Sequence, residues 1–397
     1  MLAHGACSAA GAAPDWKLSG FGTLGLVHSN GREADFVASP LKASGAGHTR
    51  AWSADVDTRF GAQLDYAPGA RWSAVLQVVS EQRLDNSYRP AVEWANVKYQ
   101  ATPDLALRIG RIALPMFLGA DSRKIGYTYP WVRPPVEVYG ALPIPSSDGV
   151  DLVWRWSAGP LRNATQAVWG NAGVRMWSSA RLRANHLAGL SDTLDVGAFS
   201  ARASVLTSVV TMNAARRLFD RLDAFEPGGD ALAERYDTDH KRSTVFSLGM
   251  SFDPGQWFVM AEGGRTRSNS FLGKTTMFYT SAGYRWGPLT PYAGLATVRA
   301  DMPTQEPGLP LMGLSAPDRQ AGFALNAGLN ALLKTIPVQS TRSAGVRWDL
   351  QRNLALKLQY NRVTPKDGSR GTLVNTQPGF VSGRTIQVGS AALDFVY

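Results

Sequence analysis

The 397-residue chain has a single cysteine, Cys7. No disulfide can form within it, and no thiolate metal cluster is available. No stretch approaches the roughly 20 apolar residues that a membrane-crossing helix needs, which excludes a helical membrane protein. Histidine is sparse, with five residues and no pair at metal-ligating spacing. Phosphate-cradling glycine loops and calcium loops are missing as well, so no cofactor is expected. Acid falls short of base: 31 Asp and Glu stand against 41 Lys and Arg, for a formal net charge of +10. Such a balance usually points to nucleic acid. Here the cations are spread along alternating segments instead of clustering on one helix, and no nucleic-acid partner is expected.

What the chain has instead is alternation. From Gly389 it runs Gly-Ser-Ala-Ala-Leu-Asp-Phe-Val-Tyr, with Ala391, Leu393, Phe395 and Tyr397 on one face and Ser390, Ala392, Asp394 and Val396 on the other. A strand that is apolar on one side and ends in an aromatic residue suits a barrel wall at a lipid interface. The same period of two recurs between turn signals. One segment runs from Trp16 to about His28. In another, Phe60, Ala62, Leu64 and Tyr66 oppose Arg59, Gln63 and Asp65. Further segments begin near Arg71, Val92, Leu105, Gly149, Leu161, Ser178, Leu194, Ser243, Gln256, Thr275, Leu289, Gln339, Asn353 and Arg384. The total is about sixteen strands, an even number, as single-chain bacterial barrels require. The 40 glycines and 12 tryptophans suit tight turns and aromatic girdles at both interfaces.

Connections alternate in length. Ala-Pro-Gly-Ala, Ala-Thr-Pro-Asp, Ala-Gly-Pro, Gly-Leu-Ser-Asp, Asp-Pro-Gly, Gly-Pro and Gln-Arg-Asn follow even-numbered strands. Long connections follow odd-numbered ones, at about His28–Ala54, Ile112–Asp148, Thr207–Arg242, Ala300–Val338 and Pro365–Gly383. A soluble sandwich has no reason to sort its loops by end, whereas outer-membrane barrels are built this way. The expected fold is all-β: an antiparallel transmembrane barrel with short periplasmic turns and long extracellular loops. It spans 16–397. Residues 1–15 are expected to be a signal-peptide remnant or a disordered extension, because Ala-Cys-Ser-Ala-Ala-Gly-Ala-Ala before Pro14 has the small residues of a cleavage region. Within the connection Thr207–Arg242, Leu218, Leu222 and Phe225 share a helical face, and Pro-Gly-Gly at 227–229 would end such a helix.

The loop after the fifth strand is apolar and stiff. It carries Met116, Phe117, Leu118, Tyr127, Tyr129, Trp131, Val136 and Tyr139 among Pro115, Pro130, Pro134, Pro135, Pro143 and Pro145. Such a loop is expected to fold inward against the wall and narrow the pore. With the first strand Leu-Ser-Gly-Phe-Gly-Thr-Leu-Gly and the aromatic end, the chain resembles a Gram-negative general porin over nearly its whole length. Residues 126–139 resemble a block of proteobacterial porin-like proteins of undefined substrate. The resemblance implies a sixteen-stranded, trimeric barrel with an inward-folded third loop. Gly20 and Gly22 would leave the first strand's outer face flat for contact between barrels. The chain departs from the best-known porins in lacking their Pro-Glu-Phe-Gly-Gly loop motif, so their constriction residues do not carry over.

By strand phase, Arg59, Lys98, Arg108, Arg155, Arg181, Arg183, Arg285, Arg347 and Lys357 are expected to point inward, with Asp151, Asp195 and Asp349. Arg111 starts the third loop, and Asp121, Arg123, Lys124, Arg133 and Glu137 lie in it. Arg59, Arg108, Arg111, Asp121, Arg123, Lys124, Arg133, Glu137 and Arg155 are the candidates for the pore constriction and its selectivity. The competing expectation is that lumenal charges pair to stabilise the barrel, with Arg133 and Glu137 pinning the loop to the wall.

The expected function is passive diffusion of small hydrophilic solutes, with anion preference. A channel specific for phosphate or organic acids is the alternative. Expected partners are outer-membrane lipid, lipopolysaccharide, small or anionic solutes and two further copies in a homotrimer. A reading of another class is an outer-membrane protease or lipase. It rests on Asp239-His240, which sits in a long loop with Asp237 and Arg242, where solvation explains it. Ser53, Ser243 and Ser268 stand at strand ends with no histidine in phase to activate them, and no catalytic residue is expected.

Overall fold

The computed structural model describes residues 15–140, 144–176 and 180–397, and the small-residue run read as a signal remnant lies outside them. Among the described residues, sixteen long strands form the wall. The first half comprises β1 (Trp16–Ser29), β2 (Arg59–Tyr66), β3 (Trp72–Glu81), β4 (Ala91–Gln100), β5 (Leu105–Ala113), β6 (Ser146–Ala158), β7 (Leu161–Arg175) and β8 (Arg181–Val196). The second comprises β9 (Phe199–Met212), β10 (Lys241–Phe252), β11 (Trp257–Ser268), β12 (Thr275–Tyr284), β13 (Leu289–Ala300), β14 (Gln339–Gln351), β15 (Leu354–Pro365) and β16 (Ile386–Val396). Each pairs antiparallel with its sequence neighbours, and β16 returns to β1 from Phe21↔Val396 to Ser29↔Val388. That ladder closes the sheet and removes its edges.

Period two sorts the side chains as expected. On β15, Leu358 and Tyr360 are 49% and 44% exposed, while Ala355, Lys357 and Gln359, in the alternate positions, are buried. The exposed apolar face is the lipid surface. Exposed aromatics gather at the short-turn ends: Trp16, Tyr66, Trp72, Trp156, Trp257, Tyr284, Trp348 and Tyr397. They form the girdle of one interface. At the long-loop end, the arc from β7 to β15 carries outward arginines instead: Arg175, Arg181, Arg183, Arg242, Arg265, Arg267, Arg299, Arg342 and Arg362, all exposed.

Two of these correct the inward phase expected for Arg181 and Arg183. A bulge shifts the β8–β9 register between Asn185 and Ala188. Above it Leu182 and Ala184 are buried inside, which turns Arg181 and Arg183 out. The Gly-Leu-Ser-Asp segment, expected as a turn, lies inside β8. The turn comes at Gly197, whose φ of +57° suits glycine, and the ninth strand begins at Phe199. The flat stripe expected on β1 is filled. A Cβ on Gly20 would stand 2.1 Å from the Tyr397 ring, and one on Gly22 2.3 Å from that of Phe395.

Helices occupy the long connections. A single turn, α1 (Val136–Tyr139), lies in the third loop. The expected helix after β9 is α2 (Arg216–Asp223), with Phe219 and Leu222 buried, and α3 (Gly229–Tyr236) follows it. Sequence reasoning missed α4 (Ala316–Leu333). Ser315 caps it, accepting a hydrogen bond from the Asp318 N–H. Leu325, Leu329 and Leu333, four apart, are buried. α4 packs on α2, and both join an apolar cluster that continues down the inner faces of β7 to β13.

Candidate pore constriction

The third loop turns into the barrel at Leu114, whose N–H donates to the Pro145 carbonyl at 3.0 Å. Its apolar residues drive this. Leu114, Met116, Phe117, Tyr129, Trp131, Val138 and Tyr139 are all buried. The ring of Trp131 stacks on Tyr129 and meets Tyr279 of β12 edge-on. The Trp131 Nε1–H donates to Ser281 at 2.9 Å, so the indole's polar end is satisfied.

The loop's backbone is met by the wall. Ser204 of β9 and Ser247 of β10 donate to the Pro115 and Met116 carbonyls. Arg202 of β9 donates to Phe117 O at 2.7 Å, and the Leu118 N–H donates to Glu262 of β11 at 2.6 Å. Farther along, Arg347 of β14 donates to Tyr127 O and Tyr129 O at 2.5 and 3.1 Å. Lys357 of β15 donates to Gly126 O and Trp131 O at 2.7 and 3.0 Å, and its Nζ stands 2.7 Å from Asp394 of β16. Lys124 reaches Glu81 of β3. Strands β3 and β11 stand half the ring apart, so the loop is fastened across the full bore.

Most candidate residues gather at this crossing. Arg133 is buried against Asp57, with contacts of 2.8 and 2.5 Å, and donates to Ser390 at 2.7 Å. Glu137 is buried and accepts from Gln339 and Thr341 of β14. These two bind loop to wall. Lys124 shares Glu81 with Lys42 of the first long connection, at 3.8 Å. Burial pushes the Lys42 ammonium below its ordinary pKa, against the pull of Glu81. Arg59 is paired in register with Glu81 and buried, and among the described residues its Nε and Nη2 have no hydrogen-bond partner. Arg123 lies within the loop and donates to Tyr139 O at 2.6 Å. Asp121 is exposed.

Arg108 and Arg155 line the lumen below the loop. Arg108 makes a two-pronged contact with Asp151, at 2.9 and 2.5 Å. Lys98 is its inward neighbour on β4, and Arg155 is exposed on β6. Arg111 does not belong to the constriction. It continues the outward phase of Leu107 and Ile109, and pairs with Asp148 on the outer face at 2.7 and 2.8 Å. Arg285 is not a wall residue either. It sits in the turn after β12, where its hydrogen bonds hold the Asp253 carboxyl below its ordinary pKa. Sequence reasoning missed Lys42, Asp57, Glu81 and Glu262. Their signal is weak because each meets its loop partner from far along the chain.

No protein-family model matches the sequence, and a comparison with curated proteins finds no match either. Solved structures do match in shape. The outer membrane channel DcaP of Acinetobacter baumannii superposes with a TM-score of 0.55 at 12% identity, over 96% of this chain and 97% of that one. Salmonella typhi OmpF gives 0.53 at 13%, over 96% and 97%. OmpT, an outer membrane protein of Vibrio cholerae, gives 0.53 at 10%, over 97% and 98%. The chain shares the barrel fold of these proteins. The porin-type barrel accounts for the girdle of aromatics, the sorting of loops by end and the absence of a sheet edge. A closed barrel with an apolar exterior is a membrane-embedded one, and its structural neighbours are outer-membrane proteins.

Proposed function

We propose that the protein is a passive outer-membrane channel for small hydrophilic solutes, with a preference for anions. The third loop carries this reading, fastened from β3 to β11 across a closed barrel with an apolar outside. A bore narrowed in this way passes small solutes, and its charges select among them. Below the loop, Lys98, Arg108 and Arg155 lie on neighbouring strands, and Asp151 pairs with Arg108. Asp349 pairs with Arg347. The cations left over favour anion entry. In planar bilayers under a salt gradient, the reversal potential is expected to report anion preference. Replacing Arg108 and Arg155 together by Gln should move it toward cations. An unmoved potential with conductance intact refutes the role of these arginines. No conductance from folded protein refutes the channel.

The outer face supports two partners. The arginines at the long-loop end of β7 to β15 suit lipopolysaccharide phosphates. On the arc from β16 round to β6, Arg111 is the outward strand arginine among the described residues, and Asp148 already holds it. That arc suits contact with neighbouring copies in a homotrimer, which light scattering in mild detergent tests. A hydrolase has less support. His240 Nδ1 lies 2.7 Å from Asp239, but both side chains are exposed on a loop, while Ser243 and Ser268 are buried. We read the protein as a channel without catalysis. Peptide or ester hydrolysis by the purified barrel would overturn that.

A further inference from the structure

Above the third loop the lumen departs from a water-lined bore. It holds a cavity of about 600 Å³, within the range of small-molecule sites. Its wall is the inner face of β8 to β10, where Leu182, Leu187, Leu206, Val210 and Val245 occupy inward positions. Inward positions of a water channel are polar. Here the polarity of the wall is reversed. The β8 bulge turns Leu182 inward, while Arg181, Arg183 and Arg242 stand outside at the same end of the barrel. Leu114 and Ile144 of the third loop form the floor, and Ile336, just past α4, closes the cavity from above. Hydroxyls such as those of Ser208 and Ser243 interrupt the apolar lining without adding charge. Among the described residues, two charged side chains reach the cavity, and both are engaged. Glu137 is held by Gln339 and Thr341. Arg370 has an interaction partner as well.

We propose that this cavity binds an uncharged, largely apolar small molecule, a hydrocarbon or an aromatic ring system, held by burial of its surface. The inference goes beyond the channel reading and does not rest on it. An apolar cavity of about 150 Å³ takes one benzene ring, so this one has room for fused rings or a folded chain. Leaving water for leucine and valine walls supplies the affinity. A carboxylate or an ammonium would give up its hydration where the charged side chains are already engaged. A sugar would lose hydrogen bonds to water that apolar walls do not return. The absence of charge and the apolar body match what lines the site.

The test is equilibrium dialysis of naphthalene, naphthoate and glucose against the full chain in lipid nanodiscs, with empty nanodiscs subtracted. Naphthalene is expected to saturate. Naphthoate should bind at least about tenfold more weakly, because an unpaired charge is costly to bury, and glucose should not bind. Replacing Leu206 and Val210 together by Trp crowds the cavity and should weaken naphthalene at least about tenfold, since a filled site must repack to admit it. Val210→Lys brings a cation to the wall and should reverse the order, with naphthoate the tighter ligand. It locates the site even if the tryptophan variant fails to fold. Naphthoate binding the parent chain as tightly as naphthalene overturns the proposal, as does naphthalene binding unchanged in a folded variant of either kind. A bilayer recording separates the site from the channel reading. Conductance without saturable naphthalene binding sinks the site and leaves the channel. Saturable binding by a barrel that never conducts sinks the channel and leaves the site.

Discussion

Replacing Lys357 by methionine would remove a charge from the interior of the wall while keeping most of the length of the side chain. Lys357 and Asp394 are both fully buried, with Nζ 2.7 Å from the carboxylate, and the same ammonium holds Gly126 O and Trp131 O. Among the described residues, the Thr23 hydroxyl, at 2.5 Å, is the hydrogen bond that Asp394 keeps. Breaking a buried ion pair from one side costs about 3–5 kcal/mol. The loop carbonyls lose a charged donor as well, at about 1–3 kcal/mol each, though these terms do not simply add. A penalty of about 4 kcal/mol then falls on the state with the third loop seated. Unseating the loop lets water reach Asp394 and relieves it. At about 1.4 kcal/mol per decade, the unseated fraction rises roughly a thousandfold. Single-channel recordings should show Lys357→Met with larger conductance and switching between levels. The double variant Lys357→Met with Asp394→Leu buries no charge and should return toward the parent trace. Parent-like conductance and noise in the folded single variant would refute this, as would a double variant as disturbed as the single.

Arg133→Leu strands the buried Asp57 carboxylate and should lower stability by about 3–5 kcal/mol, read as a lower temperature for loss of the folded band on gels. Replacing Arg342 and Arg362 together by Gln should weaken binding of lipopolysaccharide while leaving conductance unchanged, because both side chains are outside the barrel. Anion preference should fade with salt as the Debye length falls from about 10 Å at 0.1 M to about 3 Å at 1 M. A selectivity independent of salt would point to a site screened from solvent.

The wall was legible in the sequence because lipid and lumen impose opposite demands on alternate residues. That rule found the strands and the inward placement of Arg59, Arg108, Arg347 and Lys357. It failed at β8, because the bulge at 185–188 carries no strong residue signal and every side chain above it changes face. Helix α4 was passed over because its stretch is rich in Ala and Gly, although Ser315, Pro317 and the leucines four apart mark it. The inward third loop was visible from its buried-type aromatics. Arg133 and Glu137 were among its expected fastenings, but the groups that meet them were not legible. Arg133 meets Asp57, and Lys124 meets Glu81, across barrel closures that local pattern does not encode. Much of the positive charge stands on the outer rim. Strand phase alone says which way a residue points, and a single bulge can invert it.

The seam between the first and last strands does more than shut the cylinder. Phe395 lies over Gly22 and Tyr397 over Gly20. Sliding β16 by two residues along β1 would set one of these rings against Leu18 or Leu24, depending on direction. Sliding by one would turn every side chain to the wrong face. The paired glycines therefore admit one stagger of the closing strand. In a closed barrel, stagger and strand number together fix tilt and diameter. The width of the whole bore is thus set in part by two missing side chains on its outer surface.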